Sequence, residues 1–205
     1  PWLKSQLLGA KVASVVILDN SASMATINGD QSRLTLAKQA VAVYIEGLPL
    51  GSSASILSVS GVETQPTSNL SHAKSVAQDV PQSGQVLDIL GALSEAHEQL
   101  RKSGAVEKEV QIFTDGQAAN WQSFDAVIRK MEEIRQDAEI SIILTGKEAA
   151  ANQSIDRLDL VSAIPSLNQP VTFQVDITNH GTSETYDVPV QLEVNSQAIG
   201  EPWII

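Results

Sequence analysis

Between Val12 and Leu144 the chain alternates short apolar runs with stretches whose apolar residues recur every three or four positions, and that alternation constrains the fold more than any other feature. Val12–Leu18 and residues 110–114 are nearly continuous in apolar, β-branched or aromatic character, the mark of strands buried on both faces. Residues 55–59 and 140–144 read as two further strands, and 62–65 as a short antiparallel edge strand beyond the turn at Gly61. Leu34, Ala37, Val41, Tyr44 and Leu48 recur at helical spacing until Pro49 and Gly51 stop them, with Asn28-Gly29-Asp30 read as a loop before them. Ile89, Leu93, Ala96 and Leu100 repeat the helical pattern, as do Phe124, Val127, Ile128, Met131 and Ile134, and Ser71-His72 stands at a further helix start. Strands alternating with such helices imply βαβ units with right-handed crossovers. The fold class is therefore α/β, Rossmann-like, with a mostly parallel sheet sandwiched by helices.

The period changes after the alanine-rich stretch 148–152. Val171, Phe173, Val175 and Ile177 alternate with polar residues, as do Val188, Val190, Leu192 and Val194, with a turn at Asn179-His180-Gly181 between them. Period-two patterning is that of an antiparallel sheet with one wet face. Residues 153–205 thus read as a second, all-β, immunoglobulin-like domain, short of the roughly 100 residues a complete sandwich uses. The sequence opens at Pro1 and closes on Trp203-Ile204-Ile205, so both ends read as cuts in something longer.

Composition narrows the partners. With 13 Lys and Arg against 24 Asp and Glu, a formal charge of -11, the surface does not suit nucleic acid or an anionic membrane. The absence of cysteine removes disulfides and thiolate metal sites. Val12–Leu18 is too short to span a bilayer.

The first strand runs into Asp19-Asn20-Ser21-Ala22-Ser23-Met24, placing a carboxylate and two hydroxyls on alternate residues at the carboxyl end of a parallel strand, where ligands bind in open α/β sheets. Residues 110–114 run into Asp115-Gly116, which aims a second carboxylate at the same edge. Oxygen donors of this kind suit a hard cation such as Mg2+, which keeps several waters in its shell.

Asp19, Ser21 and Ser23, with Phe113-Thr114-Asp115-Gly116 downstream, resemble the motifs of the von Willebrand factor A domain, whose reach here is 9–147. The resemblance implies a metal-ion-dependent adhesion site holding Mg2+, with Mn2+ or Ca2+ as alternatives. Asp19, Ser21 and Ser23 would form its first loop and Asp115 its third, and a carboxylate from a protein partner would complete the coordination. The family supplies a Thr in the second loop, where this chain has Val86-Leu87-Asp88-Ile89-Leu90-Gly91. Asp88 is the only side-chain oxygen donor there, and it either replaces the Thr or caps the following helix. Together with Ser32-Arg33-Leu34 and the appended β domain, the motif is similar to bacterial Bat-type, aerotolerance-related proteins. That implies a membrane-anchored protein of the cell envelope, this region lying outside the cytoplasmic membrane, linked to a MoxR-type ATPase system.

Competing readings fit less well. An EF-hand needs Gly where Met24 stands, and a phosphatase-like site needs an acid where Ser21 stands. His72, His97 and His180 accompany no Gly-x-Ser-x-Gly elbow, and neither a phosphate-cradling loop nor a His-Glu-x-x-His motif occurs. Trp121 serves either as an anchor at the rim of the metal face or as a core residue. The expected function is a metal-dependent protein-interaction module and not an enzyme. The alternative is a structural scaffold or assembly component of a membrane-associated complex.

Overall fold

Seven consecutive buried residues make up β1 (Val12–Leu18) of the computed structural model, which describes residues 10–146, 153–161, 171–179, 184–195 and 197–205. β1 is the middle strand of a five-stranded sheet of order β5-β4-β1-β6-β7. β4 (Ser53–Ser58) and β6 (Glu107–Thr114) flank it in parallel, and β7 (Glu139–Leu144) runs parallel to β6. β5 (Gly61–Thr67) returns antiparallel along β4 as the edge, where its Pro66 is tolerated.

The side chains of β1 are apolar on both sides because both faces are covered. On one face, α1 (Arg33–Glu46) and α2 (Leu70–Asp79) bury Leu34, Val41, Ile45, Ala73 and Ala77 with Val16, Leu18 and Phe113. On the other, α3 (Ile89–Lys102) and α4 (Phe124–Ile134) bury Leu93, Leu100, Val127 and Ile134 with Val15, Ile17 and Ile112. Odd and even residues of β1 thus enter different layers, as the two-residue strand repeat requires. From β1 the chain passes through α1 to β4 on one side, whereas β6 lies on the other. The strand order reverses there, and the carboxyl ends of β1 and β6 open onto the switch point.

Two elements differ from the sequence expectation. Residues 27–32 form a tight hairpin, β2 (Ile27–Asn28) and β3 (Gln31–Ser32), instead of a loop, and each strand is too short to carry a periodic signal. α2 is a full ten-residue helix of which only the start was legible, because its buried residues are alanines.

The chain divides into two compact units between Gly146 and Lys147. In the second, β8 (Gln153–Leu160) pairs antiparallel with β9 (Phe173–Asn179), and β10 (Pro189–Val194) with β11 (Gln197–Ile204), as two separate two-stranded sheets. Burial does not alternate along β9, in contrast to the expected single wet face. A two-stranded ribbon has little of its own to pack against. His180 and Gly181 of the expected turn, and the 148–152 stretch, lie outside the described residues. Among the described residues, no helix is long and apolar enough to cross a membrane.

Candidate metal centre

Asp19 follows the last residue of β1 and has no solvent exposure. Its Oδ1 accepts the Ser21 backbone N–H at 2.9 Å. Its Oδ2 accepts the Thr114 hydroxyl at 2.7 Å and the Asn120 amide Nδ2 at 2.6 Å. All three donors are neutral, and no cationic side chain pairs with this carboxylate among the described residues. Ser21 is buried and Ser23 is half-buried, and their hydroxyl oxygens lie 3.3 Å apart. The short 3-10 helix Ala22–Ala25 holds this spacing: the N–H of Met24 bonds the Ser21 carbonyl and that of Thr26 the Ser23 carbonyl.

The second loop is strapped to the first by two amide side chains. Buried Asn20 donates Nδ2 to the Pro81 carbonyl at 2.8 Å and accepts the Val59 N–H on Oδ1 at 2.9 Å. Gln82 Nε2 donates to the carbonyls of Ser21 at 2.6 Å and Asn20 at 3.1 Å. Ala22 N–H reaches the Gln85 carbonyl at 3.3 Å.

The two remaining acids have hydrogen-bond partners of their own. Asp115 pairs with Arg33, whose Nη1 lies 2.8 Å from Oδ2, and both side chains are buried. Its Oδ1 accepts the Gln117 N–H at 3.2 Å. The backbone turns here through Gly116 at φ +73, a conformation costly for other residues. Gly146 packs so closely on Arg33 that an added Cβ would stand 3.0 Å from Nε. Of the two roles open to Asp88, the structure carries the cap: Oδ1 accepts the Gly91 N–H at 3.0 Å at the start of α3. Asp88 lines a shallow cleft of about 240 Å³ with Glu95 and the β4–β5 turn, and none of its hydrogen bonds reaches Asp19, Ser21 or Ser23. Leu87 beside it is buried in the core.

Arg33, Thr114, Gln82 and Asn120 join the site without having been singled out as site residues by sequence reasoning. Thr114 closes the strand that the sequence already marks, whereas a lone Arg, Gln or Asn carries no spacing signal, and the topology brings those three to the carboxyl ends of β1 and β6. Trp121 packs against the core, half-buried, and His97 is buried beside Lys130 of α4, with their nitrogens 3.2 Å apart. His72 is exposed on α2.

The donor set fits a hydrated hard cation. Such an ion takes oxygen ligands and retains waters where a protein supplies only one or two carboxylates. Buried charges are ordinarily paired or bound to metal, and Asp19 is buried with no cationic partner among the described residues, close to two hydroxyls that lie 3.3 Å apart.

Comparison with known proteins agrees with this architecture. The profile of the von Willebrand factor type A domain matches residues 14–117. No curated protein matches the sequence. Among solved structures, an aerotolerance-related membrane protein from Bacteroides fragilis, carrying multiple mutations to serines, superposes with a TM-score of 0.60 at 18% identity. That match covers 80% of this chain and 81% of the other. The conserved hypothetical protein BatB from Bacteroides thetaiotaomicron gives 0.54 at 16% identity, covering 83% and 80%. Manganese-loaded TRAP from Plasmodium vivax gives 0.53 at 15% identity, covering 68% and 59%. At these identities the likeness is one of fold. The profile spans half of the chain, and the protein belongs to the von Willebrand factor type A domain family.

Proposed function

We propose that the chain is a protein-interaction module in which Asp19, Ser21 and Ser23 hold Mg2+, or Mn2+ in its place, and a carboxylate of a protein partner completes the coordination. The observation that carries this reading is the Asp19 carboxylate, fully buried, hydrogen-bonded among the described residues by neutral donors, and flanked by two hydroxyls 3.3 Å apart. Three of the roughly four acceptor directions of a carboxylate are taken. One direction on Oδ1 is left for a cation. Asp115 would add a carboxylate at the same sheet edge, its charge offset by Arg33. Asp88 has no part in the coordination. The bound metal supplies a Lewis-acidic position open to the partner, and the protein side chains orient and desolvate it. The reading is of a binding module and not of a catalyst.

The setting belongs to the same reading. Likeness in fold to an aerotolerance-related membrane protein is in keeping with a place in the bacterial envelope, while a position outside the cytoplasmic membrane, an anchor elsewhere in the protein and a MoxR-type ATPase system as associate are proposed from the resemblance of the sequence motifs alone. The second unit serves as part of an immunoglobulin-like domain.

Acetate is the simplest probe of the open position. Mn2+-loaded protein is expected to broaden the acetate methyl resonance beyond the effect of free Mn2+, and the Asp19→Asn variant is not. Equal broadening by both proteins would sink the carboxylate-binding role.

A second reading, a structural scaffold, has an observation in its favour: the Asp19 carboxylate ties the ends of β1 and β6 to the loop bearing Asn120. On that reading Asp19→Asn lowers the melting temperature and leaves acetate broadening unchanged.

A further inference from the structure

Asn120 is buried and meets three residues on two loops of the site. Its Nδ2 donates to Asp19 Oδ2 at 2.6 Å and lies 3.4 Å from the Ser21 hydroxyl. Its Oδ1 accepts the backbone N–H of Leu87 at 3.1 Å. That last bond settles which way the amide faces. A buried N–H needs an acceptor, so flipping the carboxamide would strand Leu87 and turn a second acceptor toward a carboxylate.

The consequence falls on Asp19. With Thr114 and Asn120 both donating to Oδ2, that oxygen has no acceptor direction to spare, whereas Oδ1 keeps one beside the bond from the Ser21 N–H. Asn120 therefore selects the carboxylate oxygen that can meet a cation. It does so from the loop after β6, by an anchor on the second loop. The second loop itself supplies a backbone N–H in place of a side-chain oxygen, since Leu87 is turned into the core and Asp88 caps α3.

The geometry points to Asn120 as the positioning residue of the metal site, an inference that rests on the metal-binding reading above. It fixes the rotamer of Asp19 and the hydroxyl of Ser21, and it joins the second loop to the first without itself ligating the ion.

The test compares the full chain with Asn120→Ala and Asn120→Asp, by calorimetric titration with Mn2+ and by melting temperature with and without Mn2+. Asn120→Ala is expected to weaken Mn2+ binding at least tenfold. Asn120→Asp keeps an acceptor for the Leu87 N–H and sets a second carboxylate against Asp19. It is expected to melt below wild type when metal-free, and to gain more in melting temperature from Mn2+ than wild type does. A merely structural Asn120 would lower the melting temperature of both variants and leave the Mn2+ affinity of Asn120→Ala at the wild-type value. That outcome overturns the inference alone. Silence of the wild-type chain toward Mn2+ removes the metal-binding reading and the inference with it.

Discussion

At the scale of single residues, the site balances two buried carboxylates in different ways. Asp115 is neutralised by Arg33, whereas Asp19 depends on neutral donors. Breaking a buried pair strands a charge, and Arg33→Met is expected to destabilise the first unit by about 3–5 kcal/mol, read from urea unfolding. The double variant Arg33→Met with Asp115→Leu should recover most of that loss, since apolar replacements of both partners are often neutral. A cost below about 1 kcal/mol for Arg33→Met alone would contradict the description of this pair as buried and unrelieved. Asp19, Ser21 and Ser23 stand out in the sequence as candidates because they alternate at the end of an apolar strand. Sequence reasoning placed Asp115 at the same edge for the same reason. It did not foresee the ion pair, because residues 33 and 115 are distant in the chain and meet only through packing of α1 on β6.

At the scale of elements, the second loop and α3 decide how Asp88 acts. A carboxylate at the N-cap satisfies an exposed backbone donor, and here it accepts the Gly91 N–H. Asp88→Ala is expected to cost about 1 kcal/mol of stability by denaturant titration. Its Mn2+ affinity should equal wild type, and a substantial loss of affinity would restore Asp88 to the ligand set. The sequence left cap and ligand open, because an Asp before an apolar helical period suits either role. Helices with large periodic residues, such as Leu93 and Leu100 in α3 or Val127 and Ile134 in α4, were legible throughout. α2 was legible only at its start because Ala73 and Ala77 make a faint stripe. The β2–β3 hairpin has two residues a side, fewer than a period-two signal needs.

For the whole molecule, the sheet order places β1 beside β6, and that adjacency turns two motifs far apart in sequence into neighbours at one switch point. The parallel α/β architecture could be read in advance, since alternation of buried strands with amphipathic helices admits few other arrangements. The second unit was legible as β-structure, but its pairing of β8 with β9 and of β10 with β11 was not, because alternation marks the faces of a strand and leaves its partner open. The central claim is that Asp19, Ser21 and Ser23 form a working site for a divalent cation. Calorimetric titration of the metal-stripped chain with Mg2+ and Mn2+, beside an Asp19→Asn variant of confirmed helical content, tests it most directly. Single-site binding by the wild type that the folded variant lacks is the expected result; no binding by the wild type, or equal binding by both proteins, would contradict the account.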